Sequence, residues 1–594
     1  MMEKDEMEWK IQNHNEGAKV LLSERSLERG AAEGILVDIQ VNFEEEQIPQ
    51  LISLRRVFDL ADVYSTWSTG TLSSRLLAPS WSKYTTRSRI SSGAPLHALV
   101  SLGGCNRLTS ALSDAAVACE LRTGMVEETG LVEFELRLFV TPASPLKSYR
   151  VTLYLDFSDR RYEDAIRDAV RWWGEDCGFL EASVPDIAKR PMYSTWYSYH
   201  QNIEPDSIIR QCEIAKEMVM ESVIVDDGWQ TDDGSRGYAY CGDWEVAEKK
   251  IPAMKDFVNA IHKLGMRFLL WYSVPFVGKY SHAFAQFSEM YLGYYESHGE
   301  VQYGVLDPRY PQVREYLCGL YQKALLDWDL DGFKLDFIDS FKLYPDTPAE
   351  DPRRDTVSLE DGVDRLLKEI TESLKAIKPD VMIEFRQSYI GPYIRRYGNM
   401  VRVGDCPMNA MINRRASIDL RLISGNTAVH SDMIRWNPKE SVESAAIQMI
   451  ATLFAVPQIS VRFEEIGEDH RKMLRFYLDY WMRNRDVLLN GLLYADDPEA
   501  WYSLASVRKD GICMSLLYVY KVVDFDEDIH RLSVINAGGG NCISVRLHDE
   551  GVFNYTIYNC MGECLSSVEL TGGRVVDIVV PRAGILEIAR TAKS

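Results

Sequence analysis

Hydrophobic and polar residues alternate with a period of two from about Gly34 to Phe157. The segments Ile35–Val41 and Leu131–Leu138 are examples, and clusters of serine, glycine and proline separate such runs. Because the side chains of a β-strand point alternately to two faces, this pattern predicts an antiparallel β-sandwich. A helix is predicted next, at Tyr162–Trp173.

The pattern changes after Pro191, where short apolar runs alternate with amphipathic ones. Strands are predicted at Tyr193–Tyr199, Ser222–Asp226, Arg267–Tyr272, Gly332–Asp336, Val381–Phe385, Val401–Asp405, Thr427–His430 and Gln458–Arg462. Helices are predicted at Asp206–Met218, Lys255–Leu264, Pro311–Leu326 and Leu359–Ile377. Eight strands with seven intervening helical stretches favour a (β/α)8 TIM barrel. A doubly wound sheet is the alternative, but no glycine-rich phosphate turn follows the first strand.

Short strands return after about Trp501, for example at Ile512–Val519 and Val575–Val580. They predict a small C-terminal β-sandwich. The expected fold class is therefore α/β, with a (β/α)8 TIM barrel flanked by an N-terminal β-sandwich and a small C-terminal β-sandwich. We place the N-terminal sandwich and its linker helix at 1–183, the catalytic barrel at 184–492 and the C-terminal sandwich at 493–594.

Composition narrows the range of partners. The chain has 88 acidic and 66 basic residues and a formal charge of −22, which argues against nucleic acid or an anionic membrane as partner. The segment Met1–Glu8 has no apolar core of a signal peptide, and no apolar run is long enough to span a bilayer. The 11 cysteines show no paired spacing. We expect a cytoplasmic protein, and homo-oligomerisation stays open.

Two aspartates stand out as candidate catalytic groups. In the strand Gly332–Asp336, alternation brings Lys334 and Asp336 to the same face. A carboxylate beside an ammonium stays ionised, as a nucleophile must. Asp405 ends a later predicted strand, and two carboxylates from different strand ends suit glycoside hydrolysis. A loop carboxylate or a buried ion pair is the alternative for each.

Further polar and aromatic residues stand near the carboxyl ends of the predicted strands, which meet at one mouth in a barrel. They are Asp226, Asp227, Trp271, Lys334, Glu384, Arg386, Arg402 and His430. Carboxylates accept hydrogen bonds from hydroxyls, and aromatic rings stack on the apolar faces of sugars. We predict that these residues bind a carbohydrate substrate. A core position is the alternative for Trp271 and for His430.

No metal or other cofactor is predicted. The sequence contains no HExxH motif and no cysteine–histidine cluster. The segment Asp327–Gly332 begins like a calcium loop, but Ile338 stands where the twelfth-position glutamate is needed.

Residues in this order resemble glycoside hydrolase family 36, in the clan that also holds the family 27 α-galactosidases. The resemblance runs from about Pro191 to Gly491. It rests on Asp226–Trp229, Leu306–Pro308 with Gln312–Glu315, Asp331–Asp336 and Arg402–Asp405. It implies that Asp336 is the nucleophile and Asp405 the general acid/base. It also implies that Asp226, Asp227 and Lys334 hold sugar hydroxyls.

Four positions depart from the family pattern. Leu335 replaces a tryptophan, Ile338 an asparagine, Ser273–Pro275 a Glu-Pro-Glu, and Glu384–Ser388 a cysteine- and glycine-rich turn that faces the 2-position of the sugar. The resemblance implies a retaining, exo-acting α-glycosidase, and α-galactosidase activity on small oligosaccharides is favoured. An α-N-acetylgalactosaminidase, another α-glycosidase of the clan and a raffinose-synthase-like galactosyltransferase are the alternatives. A non-catalytic sugar-binding protein is disfavoured, because both candidate catalytic aspartates are present.

Overall fold

The computed structural model of the chain describes residues 8–70 and 74–591. Its N-terminal strands are β1 (Lys10–Asn13), β2 (Ala18–Arg29), β3 (Ala32–Gln47), β4 (Ile52–Phe58), β5 (Ser65–Trp67), β6 (Tyr84–Ser88), β7 (Leu96–Val100), β8 (Asn106–Leu112), β9 (Cys119–Met125), β10 (Val132–Leu138) and β11 (Leu146–Asp156). They form two antiparallel sheets with the orders β1-β4-β10-β9-β6 and β2-β3-β11-β8-β7-β5. Alternate residues such as Val37, Phe134 and Leu153 fill a separate apolar core. The predicted N-terminal sandwich is confirmed.

Helix α1 (Tyr162–Glu175) leads to the central region. Its strands are β12 (Met192–Ser194), β13 (Ser222–Val225), β14 (Arg267–Ser273), β15 (Phe276–Gly278), β16 (Tyr291–Ser297), β17 (Glu300–Leu306), β18 (Gly332–Asp336), β19 (Met382–Arg386), β20 (Met400–Arg402), β21 (Ala428–His430) and β22 (Gln458–Ile459). Its helices are α2 (Trp196–Tyr199), α3 (Pro205–Glu217), α4 (Met254–Lys263), α5 (His282–Gln286), α6 (Pro311–Trp328), α7 (Leu359–Ile377), α8 (Ala410–Ile423), α9 (Val442–Ile450) and α10 (Glu468–Asn490).

Eight of these strands form one parallel sheet, in the order β21-β20-β19-β18-β14-β13-β12-β22. Bridges from His430 to Val456 and from Ile434 to Ile459 join its two ends, so the sheet closes almost completely into a barrel. Strands β15, β16 and β17 form a separate three-stranded sheet that follows β14. The predicted (β/α)8 barrel is therefore confirmed.

The inside of the barrel is layered. An apolar layer lies at the amino-terminal ends of the strands, where Met192, Ile224, Leu269, Met382, Met400 and Ala428 pack together. Charged residues follow toward the carboxyl-terminal ends, because the inward-facing position recurs every second residue. Lys334 is paired in register with Trp271 and with Glu384. The interior of the barrel thus changes from apolar to charged along the length of one strand.

Two predicted elements differ from the structure. The strand predicted at Tyr193–Tyr199 ends at Ser194, and helix α2 follows, because Thr195 already has helical backbone angles. Between β19 and β20 the chain makes only a 3-10 turn, at Ile394–Arg396, where a full helix was expected. Gly391 and Gly398 bound that short connection. Other 3-10 turns are Ser80–Ser82, Asp186–Lys189, Ile338–Ser340, Phe463–Glu465 and Pro498–Ala500.

The C-terminal strands are β23 (Leu492–Ala495), β24 (Leu504–Lys509), β25 (Ile512–Leu517), β26 (Val522–Phe525), β27 (Arg531–Asn536), β28 (Cys542–Leu547), β29 (Val552–Tyr558), β30 (Cys564–Thr571), β31 (Arg574–Val579) and β32 (Ile585–Arg590). A seven-stranded and a three-stranded sheet enclose a core that includes Phe525, Val534 and Phe553. The predicted C-terminal sandwich is confirmed. Within the described ranges, no helix has the length and apolarity needed to cross a membrane.

Candidate active site

Asp336 ends β18 at the carboxyl end of the barrel, with its side chain 8% exposed. Its Oδ1 accepts hydrogen bonds from Arg386 Nε and from the backbone N–H of Phe337 (2.8 Å). Its Oδ2 accepts one from Trp271 Nε1 (3.0 Å). Burial alone would raise the carboxyl pKa, but the charges of Arg386 and Lys334 outweigh burial and hold the pKa of Asp336 below its ordinary range. Asp336 is therefore ionised near neutral pH.

Asp405 lies just beyond β20, and its side chain is 55% exposed. Arg402 Nη2 donates a hydrogen bond to its Oδ1 (2.9 Å). Desolvation raises the pKa of Asp405, but Arg402 and Lys334 offset that effect, and the pKa lies below its ordinary value. The charge of Asp336 acts in the opposite direction, so the two carboxylates lie within electrostatic reach of each other.

Arg402 is fixed by the buried carboxylate of Asp432. Its Nη1 donates to Asp432 Oδ1 and to the carbonyl of Val403 (2.9 Å). Tyr197 donates its hydroxyl hydrogen to Asp432 Oδ2 (2.9 Å). The sequence signal for Asp432 is its position directly after β21, at the same end of the barrel as the other acidic groups. Asp432 and Tyr197 set the position of Arg402, and through it that of Asp405.

The adjacent carboxylates Asp226 and Asp227 follow β13 and are each 2% exposed. Asp226 forms a buried salt bridge with Lys334, with 2.6 Å between Nζ and Oδ2. Asp227 accepts hydrogen bonds from Gln201 Nε2 (2.8 Å) and Gln230 Nε2 (2.7 Å), which are both neutral donors. Burial therefore raises the pKa of Asp227 to about 6. The two neighbours differ in charge compensation, since Asp227 has no bonded cation among the residues that the structure describes.

Three residues predicted to bind the sugar do not lie where a sugar can touch them. Glu384, Arg402 and His430 are each 0% exposed. His430 lies 2.8 Å from the carbonyl of Ala188 and 3.2 Å from Gln458 Nε2, which also donates to Glu384. Burial lowers the pKa of His430 to about 4 and raises that of Glu384 to about 7. Their inward-facing positions place them inside the barrel. We therefore correct the prediction: these three residues position the side chains at the mouth and do not bind the sugar.

The side chain of Trp271 is 2% exposed, the same fraction as Asp226 and Asp227. Its indole N–H holds Asp336, and the ring of Tyr238 stacks on it with centroids 6.2 Å apart and planes at 27°. Trp271 therefore supports the proposed nucleophile, and its contact with a sugar stays a prediction.

Tyr238 itself was not predicted from sequence, since it lies in a loop without hydrophobic periodicity. Its hydroxyl has no hydrogen-bond partner among the described residues, and the hydroxyl oxygen retains accessible surface. Burial, together with the charges of Asp336, Asp227 and Asp405, raises the pKa of Tyr238. The hydroxyl thus remains protonated, lies near all three carboxylates and has a free hydrogen to donate.

Loops of the N-terminal sandwich contact one side of the mouth. Gln387 Nε2 donates to the carbonyl of Thr69 (3.0 Å), and the N–H of Gly93 donates to the carbonyl of Ser388 (2.7 Å). The hydroxyls of Ser92 and Ser388 lie 3.1 Å apart. The mouth is therefore bounded on this side by a second part of the chain.

Comparison with protein families gives a match to the Melibiase family over residues 186–389. An α-galactosidase of Escherichia coli is 30% identical over 162 residues, which cover 26% of this chain and 22% of the relative. The α-galactosidase AgaA of Geobacillus stearothermophilus is 26% identical over 197 residues, which cover 31% of this chain and 26% of the relative. The matched segments thus span about a quarter of these relatives.

Solved structures resemble the chain over a greater length. A variant of the GH36 α-galactosidase AgaA from Geobacillus stearothermophilus, in complex with raffinose, has a TM-score of 0.66 at 14% identity. The likeness covers 97% of this chain and 81% of that one. A second AgaA structure, in complex with 1-deoxygalactonojirimycin, has a TM-score of 0.66 at 16% identity. At this identity the likeness establishes the three-part fold.

Proposed function

We propose that this chain is a member of glycoside hydrolase family 36 and a retaining, exo-acting α-glycosidase with α-galactosides of small oligosaccharides as substrates. The observation that carries the proposal is the state of Asp336. It is buried at the carboxyl end of a barrel strand and kept ionised by Arg386 and Lys334, within electrostatic reach of a second carboxylate, Asp405. Such a pair suits double displacement at an anomeric carbon.

In the first step, an oxygen of Asp336 attacks the anomeric carbon and the bond to the leaving oxygen breaks. Asp405 gives its proton to that oxygen. Asp405 has a pKa below its ordinary value, but it is also the more exposed carboxylate of the two. A sugar that fills the mouth removes water from Asp405, and desolvation raises a carboxyl pKa in the direction that an acid needs.

In the second step, Asp405 takes a proton from water and the water oxygen attacks the anomeric carbon. The bond from that carbon to Asp336 breaks, which frees the sugar and restores the Asp336 carboxylate. Formation of the glycosyl ester in the first step removes the negative charge of Asp336, which otherwise raises the pKa of Asp405. The pKa of Asp405 therefore falls, and Asp405 stays a carboxylate, which is the form that a base needs. Charge coupling between the two groups changes the role of Asp405 between the steps.

Recognition of the sugar is proposed to rest on Asp226 and Asp227. Asp227 is held by two amide N–H groups and by no cation, so its remaining lone pairs can accept hydrogen bonds from sugar hydroxyls. Asp226 is oriented by Lys334. Two adjacent acceptors suit neighbouring hydroxyls, which we identify with the axial 4-hydroxyl and the 6-hydroxyl of galactose. A sugar that leaves these buried acceptors unpaired reacts about 100-fold more slowly, or worse.

The 2-position is less defined by the surrounding residues. Arg386 and Gln387 stand at the strand end where the family has a small turn, and Arg386 is already bound to Asp336. A 2-hydroxyl needs less room than a 2-acetamido group beside this arginine. We therefore favour galactose over N-acetylgalactosamine at this position.

The test is a comparison of kcat/KM for the 4-nitrophenyl α-glycosides of galactose, N-acetylgalactosamine and glucose. The proposal predicts the highest value for the α-galactoside. A highest value for the α-glucoside contradicts the proposed recognition by Asp226 and Asp227. The same assay with added raffinose or galactinol separates hydrolysis from transfer, because a galactosyltransferase yields a longer oligosaccharide as its main product.

A further inference from the structure

A cavity of about 600 Å³ lies at the end of the barrel opposite the active site. It is bounded by α1, the start of β21, the end of α10 and strand β23. Five basic side chains line it, namely Arg167, Arg171, Lys189, Arg421 and Lys509. No aspartate or glutamate is among its lining residues in the described ranges, although the whole chain carries a net charge of −22. Basic side chains grouped in one cavity favour a negatively charged occupant.

Three of the five cations already have carboxylate partners outside the cavity. Arg167 pairs with Asp164 (2.6 Å) and Arg171 with Asp168, both along α1. Lys509, at the end of β24, pairs with Asp486 of α10. Of the five lining cations, Arg421 and Lys189 therefore remain without a paired carboxylate in the described part of the chain.

Arg421 is held by backbone carbonyls and by no carboxylate in the described part of the chain. Its Nη1 donates to the carbonyls of Phe454 (2.8 Å) and Leu488 (2.7 Å). Its Nε and Nη2 retain accessible surface, and Arg421 lines the cavity. Burial lowers the pKa of Arg421 to about 10, as expected for a cation without a counter-ion.

Lys189 forms no hydrogen bond or salt bridge with the residues that the structure describes. Burial and the nearby charge of Arg421 lower its pKa. The closest acidic groups that act on it are engaged elsewhere. Asp186 pairs with Arg190 (3.0 Å) and Arg485 (2.9 Å), and Glu181 pairs with Arg395 at 3.0 Å. Two partly desolvated cations therefore line the cavity without a directly bonded carboxylate in the described part of the chain.

We propose that this cavity is a binding site for a phosphate-bearing small molecule, with Lys189 and Arg421 as its anion contacts. A phosphate dianion matches these two cations, and a guanidinium presents parallel donors that suit phosphate oxygens. The volume lies in the range of small-molecule sites and exceeds what inorganic phosphate needs. Asn426 and Asn490, which also line the cavity, offer amides for hydroxyl groups beside the phosphate. A hexose monophosphate fits this description.

Titration calorimetry on the full-length protein tests the proposal, with glucose 6-phosphate, inorganic phosphate and glucose as probes in a chloride buffer. We expect heat of binding with glucose 6-phosphate and none with glucose. Lys189→Gln should weaken binding about tenfold or more, since a hydrogen bond to a charged group is lost. Lys189 has no hydrogen bond or salt bridge to lose in the described part of the chain, so this variant retains its fold. Lys147→Gln makes the same charge change at an exposed position on β11 and should bind like the wild type within about twofold.

The source of the phosphate follows from the same experiment. Tighter binding of glucose 6-phosphate than of inorganic phosphate supports a phosphorylated sugar, and equal binding supports free phosphate as the occupant. Absence of binding of both at millimolar concentration overturns the proposal. An equal loss with Lys147→Gln and Lys189→Gln also overturns it, because net charge alone would then explain the binding.

Discussion

Arg386 holds the carboxylate of Asp336: its Nε donates to Asp336 Oδ1, while its guanidinium carbon lies 4.9 Å from the centre of the Phe337 ring. This contact joins two neighbouring strands, β18 and β19, at the mouth of the barrel. It keeps the proposed nucleophile charged, but it also occupies one of its oxygens. Loss of the Arg386 side chain should therefore change the pKa of Asp336.

Arg386→Met should shift the acid side of the pH profile of kcat/KM to higher pH. The pKa of Asp336 is below its ordinary range because Arg386 and Lys334 outweigh burial. Removal of one cation raises that pKa, so activity is lost at a higher pH as the solution is acidified. The measurement is kcat/KM for the nitrophenyl α-galactoside across the acid range, with Asp227→Asn present in every variant so that titration of Asp227 does not set the acid side. Arg365→Met, on the solvent-exposed side of α7, is the control, and an unshifted acid side in Arg386→Met contradicts the assignment.

Asp336→Ala and Asp405→Ala should differ in their dependence on the leaving group. Asp336→Ala removes the atom that forms the covalent intermediate, so kcat should fall by about 1,000-fold or more on every substrate. Asp405→Ala should cost about 100-fold or more with raffinose but far less with an activated aryl glycoside, because only the former needs a proton. The measurement is kcat for both substrates in both variants. Equal losses across leaving groups would mean that Asp405 is not the acid.

Asp227 should make sugar binding depend on pH near neutrality. Burial raises its pKa to about 6, so the carboxylate is ionised above that pH and protonated below it. The ionised form accepts more hydrogen bonds from hydroxyls, and therefore the inhibition constant of galactose should fall as pH rises from about 5 to 7. In Asp227→Asn this dependence should disappear and binding should be weaker throughout. A wild-type inhibition constant that is flat across this range argues against contact between Asp227 and the sugar.

Tyr238→Phe should lower kcat/KM about 3- to 10-fold, the effect of one lost neutral hydrogen bond. The stacked ring on Trp271 is retained in this variant, and the melting temperature should stay within about 1 °C of the wild type. Tyr303→Phe is a matched control, because that ring belongs to the same aromatic cluster, 5.8 Å from Tyr238. If the two variants have the same kcat/KM, the hydroxyl of Tyr238 does not touch the substrate.

Strong periodicity allowed part of the fold to be predicted to the residue. The bounds of β18 and α7 coincide with the predicted Gly332–Asp336 and Leu359–Ile377. Strand β18 is buried throughout and is apolar except for Lys334 and Asp336, and α7 is a long amphipathic helix with Ser358 as its N-cap. Tyr193–Tyr199 failed because aromatic residues and serines alternate there as in a strand, although the chain turns into a helix at Thr195.

The site was less predictable because a strand pattern gives the face of a side chain but not its depth. Glu384 and His430 lie on the inward face, as Lys334 does, yet they are sealed inside the barrel by Gln458 and Ala188. Tyr238 lies in a loop, where no periodicity reports on position. Its neighbours come from β14 and from the loop after β18, so only the folded chain brings them together.

Retention of configuration is the central claim of this account, since it requires Asp336 as nucleophile and Asp405 as acid/base, with carboxyl groups about 5–5.5 Å apart. The most direct measurement is a ¹H NMR time course of hydrolysis of 4-nitrophenyl α-galactoside, recorded before the free sugar mutarotates. We predict that α-galactose accumulates first and that β-galactose follows only at the rate of mutarotation. If β-galactose appears first, the reaction is inverting and a covalent intermediate on Asp336 is contradicted.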